Sequence, residues 1–351
     1  MRAAVNRRFG GPDVVCVEDV RRPTVGPDGV LIRVHVSTVS AADRRARSRD
    51  VPRGLTVLAA AGLGLMRPRH KVLGMDVAGV VEAVGSHVDR FAPGDAVVAM
   101  LGARFGGHAE YAVVSQGGAI AHRPVTMPAE DAVTLVFGGL TAHGFLKQAQ
   151  LAPGCRVLVN GASGAVGTAA VQLACHAGAN VTAVTRAGHA DQVRSLGASR
   201  VIDYQSQDFV TDGATYDVVM DCVGNAPFER AQLVLRPGGT LLLVVADLKG
   251  ILTAGWRSRR SRRSRLQVSV SPGTHTGHDL AGLVAIAEAG RLRPVRDRTF
   301  DLADIAQAHA YVDAGKTGNV VLRISSDPPP TSTTLGETDG VDQDPSTAAW
   351  S

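Results

Sequence analysis

The chain has 351 residues, of which 45% are hydrophobic and 20% charged, with a formal net charge of +5. This is the composition of an ordinary globular protein, and the length suffices for two domains with separate cores. The four cysteines are far apart and form neither a CxxC pair nor a Cys/His cluster. The cysteines therefore indicate neither a disulfide framework nor a structural zinc site, and we expect a reducing compartment.

The N-terminus begins with a strand-like segment and carries no signal-peptide pattern. The longest apolar run, Leu55–Met66, is too short and too rich in glycine to span a bilayer. Together these features predict a cytoplasmic protein.

The first 125 or so residues are typical of short strands joined by turns. Alternating or apolar runs predict strands at Val30–Val39, Asp76–Val84, Ala96–Met100 and Gly107–Val114. Because glycine and proline interrupt these runs often, we expect a small barrel or sandwich.

After Pro128 the hydrophobic period changes. Helix-spaced apolar residues predict a helix at Ala129–Gln150, and Cys155–Asn160 follows as a short buried strand. Further predicted elements are the helix Ala165–Ala177 and the strands Val181–Arg186, Arg200–Asp203, Tyr216–Asp221 and Thr240–Val245. This alternation predicts a parallel sheet with helices on both faces. A last set, Leu266–Val270, Asp279–Ala289, Leu302–Ala314 and Asn319–Ile324, is expected to close the sheet and return to the first domain.

Two segments carry opposite charge. Ser325–Ser351 has five acidic and no basic residues and predicts a disordered tail, so the remainder of the chain is at +10. Arg257–Arg265 holds six arginines, for which a solvated loop or helix face is the favoured interpretation. No aromatic residues interleave these arginines, so we do not expect nucleic-acid binding; a peripheral membrane contact is a weaker alternative.

A glycine-rich turn follows the strand Cys155–Asn160 and leads into a helix. This context predicts a turn whose backbone N–H groups, together with the helix N-terminus, bind the phosphates of a dinucleotide. The predicted cofactor contacts are Asn160, Gly161, Ala162, Ser163, Gly164, Ala165, Val166 and Gly167.

The next strand ends in Thr185-Arg186, with no carboxylate before Asp191. An acidic residue there would hold the ribose hydroxyls of NAD, whereas an arginine suits a 2′-phosphate. The cofactor is therefore predicted to be NADP(H).

These motifs, with GASRVIDY at 197–204, YDVVMDCVG at 216–224, VLGMDVAGVVEAVG at 72–85 and GGHAEYAVV at 106–114, resemble the medium-chain dehydrogenase/reductase superfamily. The resemblance is to its zinc-independent, quinone-oxidoreductase-like branch, including alcohol dehydrogenase-like members. It implies an α/β fold with a GroES-like β-barrel catalytic domain (residues 1–128, completed by 273–324) and a doubly wound Rossmann domain (129–272), often as a homodimer. Residues 325–351 remain a tail.

The resemblance also implies site residues. The slots that hold zinc ligands in zinc alcohol dehydrogenases are Ser40, Met75 and Phe137 here, so no metal is expected. Ser40, Asp43 and Thr141 are expected beside the nicotinamide, although Asp43 also suits a structural role. Further cofactor contacts are expected at Thr185, Arg186, Tyr204, Val223, Gly224 and Asn225, with His189 as an additional option.

Two positions depart from the pattern of the resembling branch. An Asn-Pro pair is replaced by Ser40-Ala41, which removes a side-chain amide near the ring. The usual Gly-Lys before the last strand is Gly318-Asn319, which predicts that a cation near the pyrophosphate is missing. The positions of His143 and Lys71 would allow either to act as a proton donor. Helix packing and surface exposure explain the presence of these two residues equally well.

The function expected on this basis is hydride transfer from NADPH to a quinone, an enone or a related activated carbonyl or alkene, with a small hydrophobic substrate. Alternatives are an NAD(P)-dependent alcohol or aldehyde dehydrogenase, an enoyl reductase, or a non-enzymatic NADPH-binding sensor that uses the Arg257–Arg265 run. The apolar segment Leu55–Met66 favours an enzyme.

Overall fold

The computed structural model describes residues 1–50, 62–124, 126–246 and 267–325. The Arg257–Arg265 run, most of the Leu55–Met66 segment and the acidic tail from residue 326 onwards lie outside these ranges. The strands are β1 (Arg2–Asn6), β2 (Val15–Asp19), β3 (Gly29–Val39), β4 (Asp76–Val84), β5 (Ala96–Met100), β6 (Tyr111–Ser115), β7 (Ile120–His122), β8 (Arg156–Asn160), β9 (Asn180–Thr185), β10 (Arg200–Asp203), β11 (Tyr216–Asp221), β12 (Leu235–Leu243), β13 (Gln267–Ser269), β14 (Arg296–Asp301) and β15 (Asn319–Arg323). The helices span Ala41–Ser48, Ala129–Ala132, Phe137–Ala149, Ala165–His176, Ala190–Ser195, Phe228–Ala231, Gly277–Glu288 and Ile305–Ala314.

Six strands form a sheet in the order β10-β9-β8-β11-β12-β13, and every neighbouring pair is parallel. The chain runs outward from β8 to β10 and then crosses back to place β11 beside β8. This order is that of a doubly wound dinucleotide-binding sheet, in which ligands bind beyond the carboxyl ends of the strands at the reversal point. The predicted parallel sheet is confirmed.

Both faces of this sheet are buried. Val157 and Val159 of β8 belong to one core cluster, while Leu158 between them belongs to a second cluster on the opposite face. Val219 of β11 lies in that second cluster and its neighbour Met220 in the first. Successive side chains of a strand point to opposite faces, so the continuous apolar runs are explained by layers of structure on both sides.

The second large sheet has seven strands, in the order β14-β15-β3-β4-β5-β7, with β6 also paired to β3. Its strand β15 comes from the C-terminal part of the chain and pairs antiparallel with β3, with Val320 opposite Val39. Gly79 lies where β4 crosses β3, and a methyl group there would stand 2.1 Å from the carbonyl oxygen of Arg33. The domain boundaries at residues 128 and 272 stay predictions.

Several element boundaries differ from expectation, among them the strand predicted at Thr240–Val245, which spans Leu235–Leu243, and two of the differences have a visible cause. The helix predicted at Ala129–Gln150 is interrupted by a 3₁₀ turn at Val133–Leu135, where Thr134 Oγ1 donates to the carbonyl of Asp131 at 2.7 Å. Such a side-chain bond competes with regular helix geometry. The strand expected at Gly107–Val114 begins only at Tyr111, because the preceding residues pack against Gly74, where a methyl group would stand 2.6 Å from His108 N.

Candidate functional site

A cleft of about 480 Å³ opens beyond the carboxyl ends of β8, β9 and β11. The parts of the chain that border it include the glycine-rich turn, the segment at the end of β3, the loop that precedes β15, and residues that follow β9, β10 and β11. The described lining consists of Thr38, Val39, Ser40, Ala41, Phe137, Gly161, Ser163, Gly164, Ala165, Val166, Gly167, Thr185, Arg186, His189, Tyr204, Cys222, Val223, Tyr311, Gly315, Lys316, Thr317 and Asn319.

The glycine-rich turn needs its glycines for different reasons. Gly161 has φ of +82°, a left-handed conformation that glycine adopts without strain. At Gly167 a methyl group would stand 2.1 Å from the carbonyl oxygen of Gly161, so the close packing of helix on turn requires glycine. Gly164 has an extended conformation, and a methyl group there would meet only Gly161 O, at 3.5 Å. The space above Gly164 is therefore open to a ligand.

The helix Ala165–His176 starts at this turn with its N-terminus facing the cleft. Gly164 is its N-cap residue and provides no side-chain hydrogen bond to the first turn. The first N–H groups of a helix have no acceptor within the helix and carry a partial positive charge. An anion such as a pyrophosphate satisfies both conditions, so the turn fits the phosphates of a dinucleotide.

Arg186 and Tyr204 form a polar pair at the outer end of the cleft. Arg186 directly follows β9, Tyr204 directly follows β10, and the parallel pairing of these strands brings the two side chains together. Arg186 Nε donates to the phenol oxygen of Tyr204 at 2.5 Å. Both side chains are exposed, whereas Thr185, one residue earlier, is buried.

Asp221, at the end of β11, organises the loop opposite the turn, a role that the sequence did not reveal. Its Oδ1 accepts hydrogen bonds from Asn160 Nδ2 at 2.9 Å and from the backbone N–H groups of Val223 and Gly224 at 3.0 Å each. Asn160 Nδ2 also donates to Asn225 Oδ1 at 2.6 Å. Asn160, Gly224 and Asn225 therefore act as a bonded frame behind the cleft surface, and only Val223 of this group lines it.

The loop Gly315–Gly318 lies directly against the glycine-rich turn. Gly318 N donates to Ser163 O at 2.7 Å, and Gly318 forms a parallel β-bridge with Gly164. Lys316 lines the cleft, and its Nζ donates to the carbonyl of Gly318. The cleft lining therefore includes a cation from this loop, Lys316, while Asn319 stands where the resembling branch has a lysine.

The residues expected beside the nicotinamide are distributed unevenly. Ser40 lines the cleft, and its Oγ donates to Asp43 Oδ2 at 2.5 Å. Asp43 is fully buried, completes a capping box for the helix Ala41–Ser48, and accepts from Gly74 N at 2.8 Å. These contacts explain Asp43 as a structural residue. Thr141 is buried in the helix Phe137–Ala149 and is not part of the described lining.

A second buried carboxylate lies behind the end of β3. Asp76 accepts from Thr38 N at 2.8 Å and from Thr38 Oγ1 at 2.7 Å. Burial raises the pKa of Asp76 to about 7, an effect that the hydrogen bonds from Thr38 partly oppose. Asp76 therefore fixes the position of Thr38 at the cleft floor.

The residues in the slots for zinc ligands do not fit a zinc ion. The Ser40 hydroxyl is bonded to Asp43, Met75 offers a neutral thioether, and Phe137 has no donor atom. Within the ranges that the structure describes, no group of three or more His, Cys, Asp or Glu side chains is arranged to hold a metal ion. Zinc sites need several imidazole, thiolate or carboxylate ligands.

Two family models and several known proteins are similar to this chain. Residues 26–124 match the family described as alcohol dehydrogenase GroES-like domain, and residues 196–322 match the family described as zinc-binding dehydrogenase. The quinone oxidoreductase of Sus scrofa is 30% identical over 332 residues, which cover 90% of this chain and 95% of that protein. The chain belongs to the medium-chain dehydrogenase/reductase superfamily. Within it, the relatives place the chain in the quinone-oxidoreductase-like branch.

Further relatives support the same assignment. The chloroplastic quinone-oxidoreductase QR1 of Triphysaria versicolor is 34% identical over 259 residues, covering 70% of this chain and 78% of that protein. The solved quinone oxidoreductase of Coxiella burnetii is 25% identical and superposes with a TM-score of 0.82 over 93% of this chain and 99% of its own. The predicted fold class, a GroES-like domain with a Rossmann sheet, is confirmed. The protein is an oxidoreductase that uses a nicotinamide cofactor and a small-molecule substrate.

Among the described helices, none combines the length and the hydropathy needed to cross a bilayer.

Proposed function

We propose that the protein is a zinc-independent, NADPH-dependent oxidoreductase that transfers hydride to a quinone, an enone or a related activated carbonyl or alkene. The observation that carries this proposal is the cationic, carboxylate-free lining of the cleft. Arg186 and Lys316 are its positively charged residues, and neither aspartate nor glutamate occurs in the described lining.

The preference for NADPH over NADH is supported by the outer end of the cleft. The residue after β9 is where an NAD-binding sheet presents a carboxylate to the ribose hydroxyls. Here Arg186 occupies that position, already oriented by Tyr204. A guanidinium binds a phosphate with paired, charge-assisted hydrogen bonds, so the 2′-phosphate of NADPH gains a partner that NADH cannot use.

The proposed class of hydride acceptor is supported by the residues at the end of the cleft away from Arg186 and Tyr204. Val39, Ala41 and Phe137 present apolar surface there, and the zinc-ligand slots hold no metal-binding set. When bound, the reduced nicotinamide supplies a hydride. The chain itself contributes binding, orientation and the exclusion of water, which suffices for an acceptor already polarised by conjugation. An NADPH-dependent alkenal/one oxidoreductase of Arabidopsis thaliana, 30% identical over 335 residues, points to the same acceptor class.

The test is a steady-state assay of NADPH oxidation by the purified chain with quinones, enones, aldehydes and saturated ketones. We expect turnover with the conjugated acceptors, a clear preference for NADPH over NADH, and no change after chelator treatment or zinc addition. Turnover restricted to alcohols or simple aldehydes, or activity that a chelator abolishes, would contradict the proposal.

We further propose a cytoplasmic homodimer. In the described part of the chain β13 pairs on one side only, with β12, so it is an edge strand that a second copy can extend. Light scattering coupled to size-exclusion chromatography tests this, and a monomer at micromolar concentration would refute it. The relatives include proteins named as chloroplastic and mitochondrial, so the compartment needs its own localisation experiment.

A further inference from the structure

We propose that Lys316 is the cation that binds the pyrophosphate of the cofactor, reaching it from the loop that precedes β15. The inference rests on the proposed function, since the anion is that of a nicotinamide dinucleotide. It assigns to the seven-stranded sheet a direct part in holding a cofactor that the six-stranded sheet otherwise binds.

The first support is the position of the lysine. Gly318 is attached to the glycine-rich turn through its hydrogen bond to Ser163 O and its bridge to Gly164. Lys316 Nζ donates to the carbonyl of this same Gly318. The ammonium group is thus fixed next to the turn whose first-turn N–H groups face the cleft.

The second support is the bonding capacity of the ammonium group. An ammonium has three N–H donors, and Gly318 O accepts one of them, which leaves two for phosphate oxygens. Among the described residues, no carboxylate forms an ion pair with Lys316. Arg186, which Tyr204 holds through Nε at the outer end of the cleft, is assigned to the 2′-phosphate through its remaining N–H groups.

The third support is the electrostatic environment of the lysine. Burial lowers its pKa to about 8, while the carboxylates of Asp297, Asp76 and Asp43 act in the opposite direction. Asp297 is itself held by the hydroxyl of Tyr311 at 3.0 Å. A dianionic pyrophosphate beside Lys316 favours its charged form, so binding of the cofactor above pH 8 takes up a proton.

The loop also contacts an imidazole ring on the side of the six-stranded sheet, that of His189. Thr317 Oγ1 lies 3.4 Å from His189 Nδ1 and 3.3 Å from His189 Nε2. Thr317 N donates to Asp297 Oδ2 at 2.9 Å, so Thr317, the residue directly after Lys316, is held by both its backbone and its side chain.

The test compares the full-length wild type with the variants Lys316→Met, Lys316→Arg and Lys147→Met by titration calorimetry with NADPH and with NADH. Lys147 lies on the helix Phe137–Ala149 away from the cleft and is the matched control. We expect Lys316→Met to weaken both dinucleotides by about tenfold or more, since both carry the pyrophosphate. Lys316→Arg should retain affinity and lose the proton uptake above pH 8.

The binding measurements distinguish a failure of the proposed function from a failure of the assignment of Lys316. If the wild type binds neither dinucleotide, the proposed function is wrong. If the wild type binds NADPH and Lys316→Met binds it equally well, only the assignment of Lys316 is wrong. A pH dependence of Lys316→Arg equal to that of the wild type also overturns the assignment, and this result does not depend on whether the methionine variant folds.

Discussion

Arg186 Nε and the phenol oxygen of Tyr204 lie 2.5 Å apart, joining the residue after β9 to the residue after β10. The contact is between side chains 18 positions apart, and the parallel pairing of the two strands creates it. It limits the conformations of an exposed arginine before any ligand arrives. A preordered cation binds a phosphate with a smaller entropy cost.

Replacing this arginine tests the cofactor preference. We expect Arg186→Ala to weaken NADPH binding by roughly 1.5–3 kcal/mol, the value of a charge-assisted contact, and to leave NADH binding nearly unchanged. The dissociation constants of both cofactors measure the effect. Arg194→Ala is the matched control, because Arg194 is exposed and pairs with Asp191 outside the cleft. Equal losses for the two cofactors in Arg186→Ala would show that this side chain does not bind the 2′-phosphate.

The glycines of the turn should separate binding from stability. Gly164→Ala should keep the fold, since the methyl group meets only one atom at 3.5 Å, and should reduce NADPH affinity by occupying the phosphate space. Gly167→Ala should lower the melting temperature, because its methyl group would stand 2.1 Å from backbone. Gly282→Ala, on a helix with open space around it, should stabilise by about 1 kcal/mol. Thermal melts and NADPH titrations give both readouts, and an unchanged affinity in Gly164→Ala would contradict the assigned phosphate position.

Asp221 should couple stability to cofactor binding. Besides the three hydrogen bonds to Oδ1, its Oδ2 accepts from Ala226 N at 2.8 Å, all in a fully buried position. Asp221→Asn places an amide group against N–H donors and should cost about 1–3 kcal/mol of unfolding free energy as well as NADPH affinity.

A second aspartate on the same strand provides the control for this effect. Asp217 accepts from Arg156 N and pairs with Arg236 at the opposite end of β11. Asp217→Asn should lower the free energy of unfolding without changing NADPH affinity. Denaturant unfolding and NADPH titration of both variants measure this, and parallel losses of affinity would show that the effect is not local to the cleft.

Acid should destabilise the protein through His309. Burial lowers the pKa of His309 well below 6.5, and the nearby His108 and Arg47 lower it further. The unfolded chain therefore binds a proton that the folded chain does not bind. The contribution of His309 to the free energy of unfolding is therefore fully present above the unfolded pKa of about 6.5. Below that pH, the free energy of unfolding falls by up to about 1.4 kcal/mol per pH unit.

The variant His309→Leu isolates this contribution. Both ring nitrogens of His309 lack a hydrogen-bond partner within the described residues, so leucine removes no such bond. Below about pH 6.5, the slope of unfolding free energy against pH reports the number of protons taken up on unfolding. We expect this number to be lower by about one in the variant than in the wild type. Urea titrations at several pH values provide the slope, and an identical slope in both proteins would assign the acid sensitivity to other groups.

Local patterns predicted the elements with short-range causes. The bounds of β4, β5, β10 and β11 agree with the structure because their apolar runs end at turns within the same segment. The glycine-rich turn was recognised for the same reason, since strand, turn and helix are contiguous. Two of the boundaries that moved, at Gly107 and at Val133, depend on packing against distant residues and on a side-chain bond to the backbone.

The parts of the site that depend on tertiary contacts were beyond reach of the sequence. Asp221 looked like the last residue of a strand, and its four accepted bonds become visible only when the following loop folds back. Lys316 sits outside the position where a cation is usual, and only the bridge between Gly164 and Gly318 brings it to the turn. Ser40 and Phe137, two positions that the family resemblance singled out, line the cleft because Ser40 directly follows β3 and Phe137 begins a helix.

The pairing of β15 with β3 sets an order on biosynthesis. Val39 in β3 pairs with Val320 in β15, so the seven-stranded sheet stays incomplete until nearly the whole described chain has left the ribosome. The strands β8 to β12 need no such distant partner and follow one another closely in sequence. Contacts between distant parts of a chain form more slowly than local ones. A nascent chain truncated before β14 therefore contains every strand of the cofactor-binding sheet and an N-terminal sheet with an unpaired edge along Val36–Val39, which is where a ribosome-bound chaperone would find exposed backbone.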